Sequence, residues 1–155
     1  MQAILPGLRE MLNYHPAFVH FPIALWIGAL MFEALAVARS SDDWHRTAAR
    51  LLYLGTLFAF AAVGTGWMAD MAVPPSGPAY EVKELHEKLM LATTSVSVGL
   101  CLFAFFARKR FTARLRKLFL LGLVVLTVLL TIGADRGAQL VYQYATSVHL
   151  PAAPK

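Results

Sequence analysis

The chain is poor in charge, and this deficit excludes an ordinary soluble domain. Only 15% of its 155 residues are charged, whereas soluble domains carry about a quarter. No Asp, Glu, Lys or Arg occurs within residues 11–32, 51–69, 89–107 or 118–134. Each stretch is close to the roughly 17–25 residues that an α-helix needs to cross the hydrocarbon of a bilayer. The composition therefore predicts a multi-pass membrane protein whose environment is a lipid bilayer.

The four uncharged stretches predict an all-α fold, a four-helix transmembrane bundle that forms a single domain over residues 1–155. The predicted spans cover residues about 16–38, 50–70, 86–107 and 117–135. We find no internal repeat in the sequence.

The chain also lacks the motifs of familiar catalytic sites. Its single cysteine, Cys101, lies inside the third predicted span and excludes a disulfide within the chain. The sequence has no Gly-rich phosphate loop, no His-Glu-x-x-His motif and no Ser-His-Asp set in a suitable register. Residues 1–10 lack the basic segment and cleavage site of a removable signal peptide. We therefore expect no catalytic residues and no removable leader.

Basic residues are concentrated in two connections between the spans, residues 39–50 and 108–117. Because Lys and Arg near span ends are retained in the cytoplasm, these connections should lie inside and both termini on the outer side of the membrane. The same residues account for the net charge of +5, and they can bind anionic lipid headgroups. We therefore expect no nucleic acid partner.

Histidines are few, and most of them map to the predicted outer side. His15 and His20 open the first span, His86 opens the third, and His149 follows the fourth. Asp70 ends the second span on the same side. Ionisable groups at membrane depth are functional candidates by default, and imidazole is a ligand of haem iron and of divalent metals.

The spacing of the first two histidines restricts what they can bind together. Residues five apart on an α-helix are rotated by about 140°, so His15 and His20 cannot face one partner on an unbroken helix. Two alternatives remain open. The helix begins at Pro16 and bends near Pro22, which directs His20 into the bundle, or it begins near Pro22 and both histidines bind from a re-entrant loop.

Polar residues in the second and third spans support a site at the same level. A face of the third span should point to the bundle interior, because lipid offers its polar groups no partners. That face carries His86, Met90, Thr93 and Ser97. In the second span, Gly64 and Gly66 allow close approach of another helix or of a flat cofactor.

The first span also contains an acidic residue. Glu33 lies near its cytoplasmic end, where we expect it to pair with Arg39 or Arg50. A part in a proton pathway is the alternative.

Several of these residues belong to motifs of a known family. The motifs are His15-Pro16…Val19-His20-Phe21-Pro22, Thr65-Gly66-Trp67-Met68-Ala69-Asp70, His86 at the start of the third span, and Leu140-Val141-Tyr142. Over nearly the whole chain they resemble the bacterial family of predicted four-helix membrane proteins called domain of unknown function 2231. The resemblance implies a bacterial inner (cytoplasmic) membrane location, where the charge distribution places both termini in the periplasm. The family has no assured activity, but its histidines have suggested haem or metal binding. The motif positions that the resemblance implies are His15, His20, Asp70, His86 and Tyr142.

Three functional hypotheses follow. In the first, the protein is a b-type cytochrome for electron transfer that holds haem b through His20 and His86, with His15 as a further candidate. In the second, it binds copper or zinc. The metal ligands would then be His15, His20, His86 and Asp70. In the third, it is a scaffold or partner subunit without a cofactor. A redox partner or a homo-oligomer is compatible with these hypotheses.

Overall fold

A computed structural model describes residues 13–69, 73 and 75–148, and this part of the chain is an all-α four-helix bundle. Its helices are α1 (His15–Arg39), α2 (Asp42–Ala69), α3 (Pro78–Ala107) and α4 (Ala113–Tyr142). Each is long and apolar enough to cross a membrane. The predicted spans lie within these helices, apart from Asp70, which falls outside the described residues. The helices α2, α3 and α4 begin earlier than the predicted spans because they include polar residues at their ends.

The first helix decides between the two alternatives that the prolines left open. It begins at His15, with Pro16 in the first turn, where the missing N–H costs no helical hydrogen bond. It then continues past the buried Pro22 to Arg39. The His-Pro segment is therefore the first turn of a helix and not a re-entrant loop.

The bundle core lies where the four helices face one another. The helices α1 and α3 each pack against both α2 and α4. The largest buried apolar side chains of this core are Trp26, Leu52, Phe119, Leu123 and Leu126. Large apolar side chains also cover the outer faces, as expected of helices that contact lipid; they include Phe60, Phe106 and Val128.

The bundle contains an internal repeat that the sequence did not reveal. The same number of residues separates His15 from His86 and separates Asp42, the first residue of α2, from Ala113, the first residue of α4. The same separation relates buried positions of the core to one another. Between α1 and α3, Pro22 corresponds to Thr93, Trp26 to Ser97 and Glu33 to Ala104. Between α2 and α4, Ala48 corresponds to Phe119, Leu52 to Leu123 and Ala59 to Leu130.

Few of the corresponding residues are identical, which is why the repeat is hard to see in the sequence. The identical pairs include His15 with His86, Thr56 with Thr127, and Gly66 with Gly137. We call α1 and α2 the first hairpin, and α3 and α4 the second hairpin. Exchanging the hairpins preserves which helices are neighbours, as an approximate two-fold axis along the bundle would require.

The two ends of the bundle are named for what they carry. The histidine end is the end where α1 begins. The connection end contains residues 40–41 and 108–112, which join the two helices of each hairpin.

Candidate functional site

His15 is held at the histidine end by the last turns of α2. Its side chain is half-buried, and its Nδ1 lies 2.9 Å from the carbonyl oxygen of Ala62. Because a carbonyl oxygen only accepts, Nδ1 carries the proton and donates it. The hydroxyl of Thr65 lies 3.4 Å from the same nitrogen. The ring packs on Gly66, where an added Cβ would lie 3.2 Å from its Cε1 atom.

His86 has the same environment in the second hairpin. Its Nδ1 lies 2.8 Å from the carbonyl oxygen of Gly133 and donates to it. Its ring packs on Gly137, where an added Cβ would lie 2.9 Å from Cε1. In each hairpin the histidine and its carbonyl are 47 residues apart in the chain. The two histidines are therefore equivalent residues of the repeat with equivalent partners.

The two imidazoles lie at the same end of the bundle, each held by the helix that follows its own in the chain. Within the part of the chain that the structure describes, neither Nε2 takes part in a hydrogen bond. Donation from Nδ1 fixes the orientation of each ring and leaves Nε2 with a free lone pair, which is the usual state of a histidine that ligates a metal. The histidine end therefore presents two oriented imidazole ligands.

The structure does not bring His20 to this pair. His20 is exposed, and its Nδ1 donates to the carbonyl oxygen of Pro16 in its own helix, at 2.6 Å. Its equivalent in the second hairpin is Leu91, which is also exposed. Because five residues rotate the helix by about 140°, a helix that turns His15 to the interior turns His20 away from it. The structure thus makes His15 the counterpart of His86, whereas the sequence favoured His20 as the second ligand beside His86.

The other predicted ligands do not complete a metal cluster in the described part of the chain. Asp70 and His149 lie outside the described residues. Within those residues, no group of three or more His, Cys, Asp or Glu side chains could hold a metal ion. The four-ligand copper or zinc site therefore stays a prediction. Tyr142, the last motif residue, ends α4 with its side chain 89% exposed.

An arginine also lies on α4 at the histidine end. Arg136 precedes Gly137 on α4, and its Nε is buried without a hydrogen-bond partner among the described residues. Its terminal nitrogen donates to Gln139, and Asp135 lies 3.8 Å from Nε. A partly satisfied guanidinium at this end of the bundle can meet an acidic group of a ligand.

At the connection end, the sequence predicted the wrong partner for Glu33. Its carboxylate oxygen Oε2 accepts a hydrogen bond from Nδ1 of His45 at 2.7 Å, and the carboxylate is fully buried. Neither Arg39 nor Arg50, the expected partners, makes this contact. The expectation failed because α2 begins at Asp42, which places His45 in its first turn beside α1.

The polar face of α3 lies in the interior, as the sequence predicted. Thr93 and Ser97 are both fully buried. Each hydroxyl donates to a carbonyl of its own helix, Leu89 and Thr94 respectively. These hydroxyls are therefore satisfied within α3.

The fold and its apolar helices define the chain as an integral membrane protein of the four-helix type. The model of one family, described as predicted membrane protein (DUF2231), matches residues 11–150. The chain belongs to this family. Comparisons with curated proteins and with solved structures gave no match. The family description states no activity, so the function has to be argued from the site.

Proposed function

We propose that this protein is an electron-transfer protein that holds a b-type haem between His15 and His86. One observation supports the proposal most strongly: both hairpins carry an imidazole whose Nδ1 donates to a backbone carbonyl and whose Nε2 is free. Haem iron has two axial positions on opposite faces of its ring. Two imidazoles at equivalent positions of the two hairpins suit such a ligand.

The surroundings of the histidines fit a haem ligand set. Hydrogen bonding at Nδ1 raises the basicity of the opposite nitrogen and holds the ring in place. Gly66 and Gly137 leave the space in which each ring lies against a helix backbone. Arg136 offers a cation to a propionate. Haem bound here would supply one-electron chemistry, and the chain would hold it, orient it and separate it from the cytoplasmic side.

We also propose an orientation for the chain. The connection end carries the exposed basic residues Arg108, Lys109 and Arg110, which favour the cytoplasmic side of a bacterial inner membrane. The histidine end and both termini would then face the periplasm. A cofactor there would exchange electrons with a periplasmic partner or with a carrier in the outer leaflet.

The test is the optical spectrum of protein purified in detergent after expression with added haem. We expect the wild type to show haem bands that sharpen on reduction with dithionite, at one haem for each chain. H15A and H86A should each lose these bands, and H20A should retain them. H20A is the matched control because it removes an exposed imidazole from the same helix.

Two results would overturn the haem proposal. A colourless wild type that folds normally after haem-replete expression would exclude haem. A wild type that contains stoichiometric copper or zinc would favour the metal hypothesis instead. Metal analysis of the same samples distinguishes that result from a scaffold without a cofactor, which would contain neither haem nor metal.

The copper alternative has one specific observation in its favour. Met90 lies one turn after His86, and its Sδ approaches the backbone of α4 at Gly133, whose added Cβ would lie 2.6 Å from it. A thioether with two imidazoles is a soft ligand set that suits copper(I). M90L should lower copper content if this alternative holds, and it should leave haem content unchanged if the haem proposal holds.

A further inference from the structure

A second polar site lies at the connection end, remote from the histidine pair. Glu33 on α1 is 0% exposed, and its Oε2 accepts a hydrogen bond from Nδ1 of His45 on α2. Its other oxygen, Oε1, is buried and has no hydrogen-bond partner among the described residues. A carboxylate in such surroundings is costly unless an opposite charge or a proton balances it.

Two aromatic rings lie against the imidazole of this pair. The imidazole of His45 lies 4.0 Å, between ring centroids, from Phe111 in the α3–α4 connection and 5.6 Å from Phe119 of α4. Two ion pairs at this end join other groups: Arg116 with Asp42, and Arg46 with Asp43. Among the described residues, the imidazole of His45 is the hydrogen-bonded partner of the carboxylate.

The second hairpin shows that the fold does not require such a pair. The equivalent of Glu33 is Ala104, which is buried in the core. The equivalent of His45 is Arg116, whose guanidinium turns to the exposed carboxylate of Asp42. Helix packing at this level of the second hairpin is thus achieved without a buried carboxylate.

We propose that Glu33 and His45 form a proton-binding site that retains one proton inside the bundle and exchanges it with water at the connection end. Without that proton, the pair is a carboxylate and a neutral imidazole, with one net negative charge among aromatic rings. A proton that arrives from water at Nε2 of His45 forms an imidazolium, and the pair becomes neutral. His45 is the member that meets water, because its side chain is 11% exposed and that of Glu33 is 0% exposed.

The experiment counts protons on the pair at neutral pH in detergent. In ¹⁵N-histidine NMR of the wild type, we expect both ring nitrogens of His45 to carry protons, with the signals assigned by their loss in H45Q. In H45Q the proton should move to the carboxyl group of Glu33. The infrared spectrum of H45Q should then show a protonated-carboxyl band that the double variant E33Q/H45Q lacks.

A matched control separates the site from its equivalent in the other hairpin. R116Q changes the position equivalent to His45 and should leave both His45 ring signals unchanged. After transfer to D₂O, both ring N–H signals should disappear, because the site exchanges with water.

The wild-type spectra decide the proposal even if E33Q/H45Q or R116Q fails to fold, and H45N can replace H45Q for the assignment. A single protonated nitrogen on His45, together with no protonated-carboxyl band in the wild type, would overturn proton retention. Ring N–H signals that persist in D₂O would overturn exchange with water. None of these measurements requires a bound cofactor, so the proposal stands or falls independently of haem binding.

Discussion

The two ends of the bundle differ in how closely the two hairpins match. At the histidine end, His15 and His86 use the same ring atom, the same kind of carbonyl partner and a glycine in the same position. At the connection end, a fully buried carboxylate in the first hairpin corresponds to Ala104 in the second. One end is symmetric in its chemistry, and the other is not.

This difference indicates what each end can bind. A pair of equivalent imidazoles, one from each hairpin, suits one ligand with two equivalent binding positions, such as haem iron. An asymmetric buried pair suits a small particle that only one hairpin holds, such as a proton. The repeat supplies the equivalent positions, and Glu33 and His45 are where the two hairpins differ in buried chemistry.

The largest expected effect comes from removing the buried Glu33–His45 pair at the connection end. H45A removes the partner of a buried carboxylate and should lower the free energy of unfolding by about 3–5 kcal/mol. R116A, at the equivalent position of the second hairpin, breaks an ion pair with an exposed aspartate and should cost less than about 1 kcal/mol. Denaturant unfolding in detergent measures both. Equal losses in the two variants would contradict the assignment of the buried pair to one hairpin.

The second prediction concerns the histidine end, where a methyl group added at Gly137 would meet the ring of His86. In G137A the new Cβ would lie 2.9 Å from the imidazole, so the ring must move. We expect a loss of about 1–3 kcal/mol in stability, as for other overpacked sites, together with weaker haem retention. G99A is the control, because no atom lies within 4 Å of a Cβ added there. A fully loaded G137A would show that the position of His86 does not matter for the cofactor.

The equivalent change in the first hairpin should act in the same direction but less strongly. In G66A the added Cβ would meet Cε1 of His15 at 3.2 Å, a contact that a small shift of the ring relieves. We expect its haem retention to fall between those of G137A and the wild type. Gly64 has open space around it, so G64A is the control on the same helix. An effect of G66A larger than that of G137A would contradict the order of the two contacts.

The smallest effect should come from His20. H20L installs the residue that the second hairpin has at the equivalent position, Leu91, and should change stability by less than about 0.5 kcal/mol, as is usual for exposed sites. Haem content should be unchanged. Haem titration of the purified variant checks this, and a marked loss would restore His20 as an axial ligand.

Much of the fold could be predicted from the sequence because charge is excluded from hydrocarbon. The four uncharged stretches located four helices, and the level of the histidines followed from their positions at the starts of spans. Helix ends were less accurate, since polar residues continue α2 back to Asp42. That error of about two turns is what hid the contact between Glu33 and His45.

The choice between His15 and His20 depended on the rotation of α1 about its own axis, which uncharged stretches do not define. A usable signal was nevertheless present. Glu33 is the one Asp, Glu, Lys or Arg inside the first span and must face the interior, and His15 lies about five helical turns before it on the same face. The equivalence of the two histidines was harder to find, because it depends on matched burial and backbone partners rather than on identical residues.

The central claim, that His15 and His86 are the two ligands of one cofactor, is tested most directly by electron paramagnetic resonance of the oxidised, haem-loaded protein. The wild type should give the low-spin signal of haem iron with two imidazole ligands. H15A and H86A should each lose that signal, while H20A should keep it. A low-spin signal that survives in both H15A and H86A, or that disappears only in H20A, would contradict the claim.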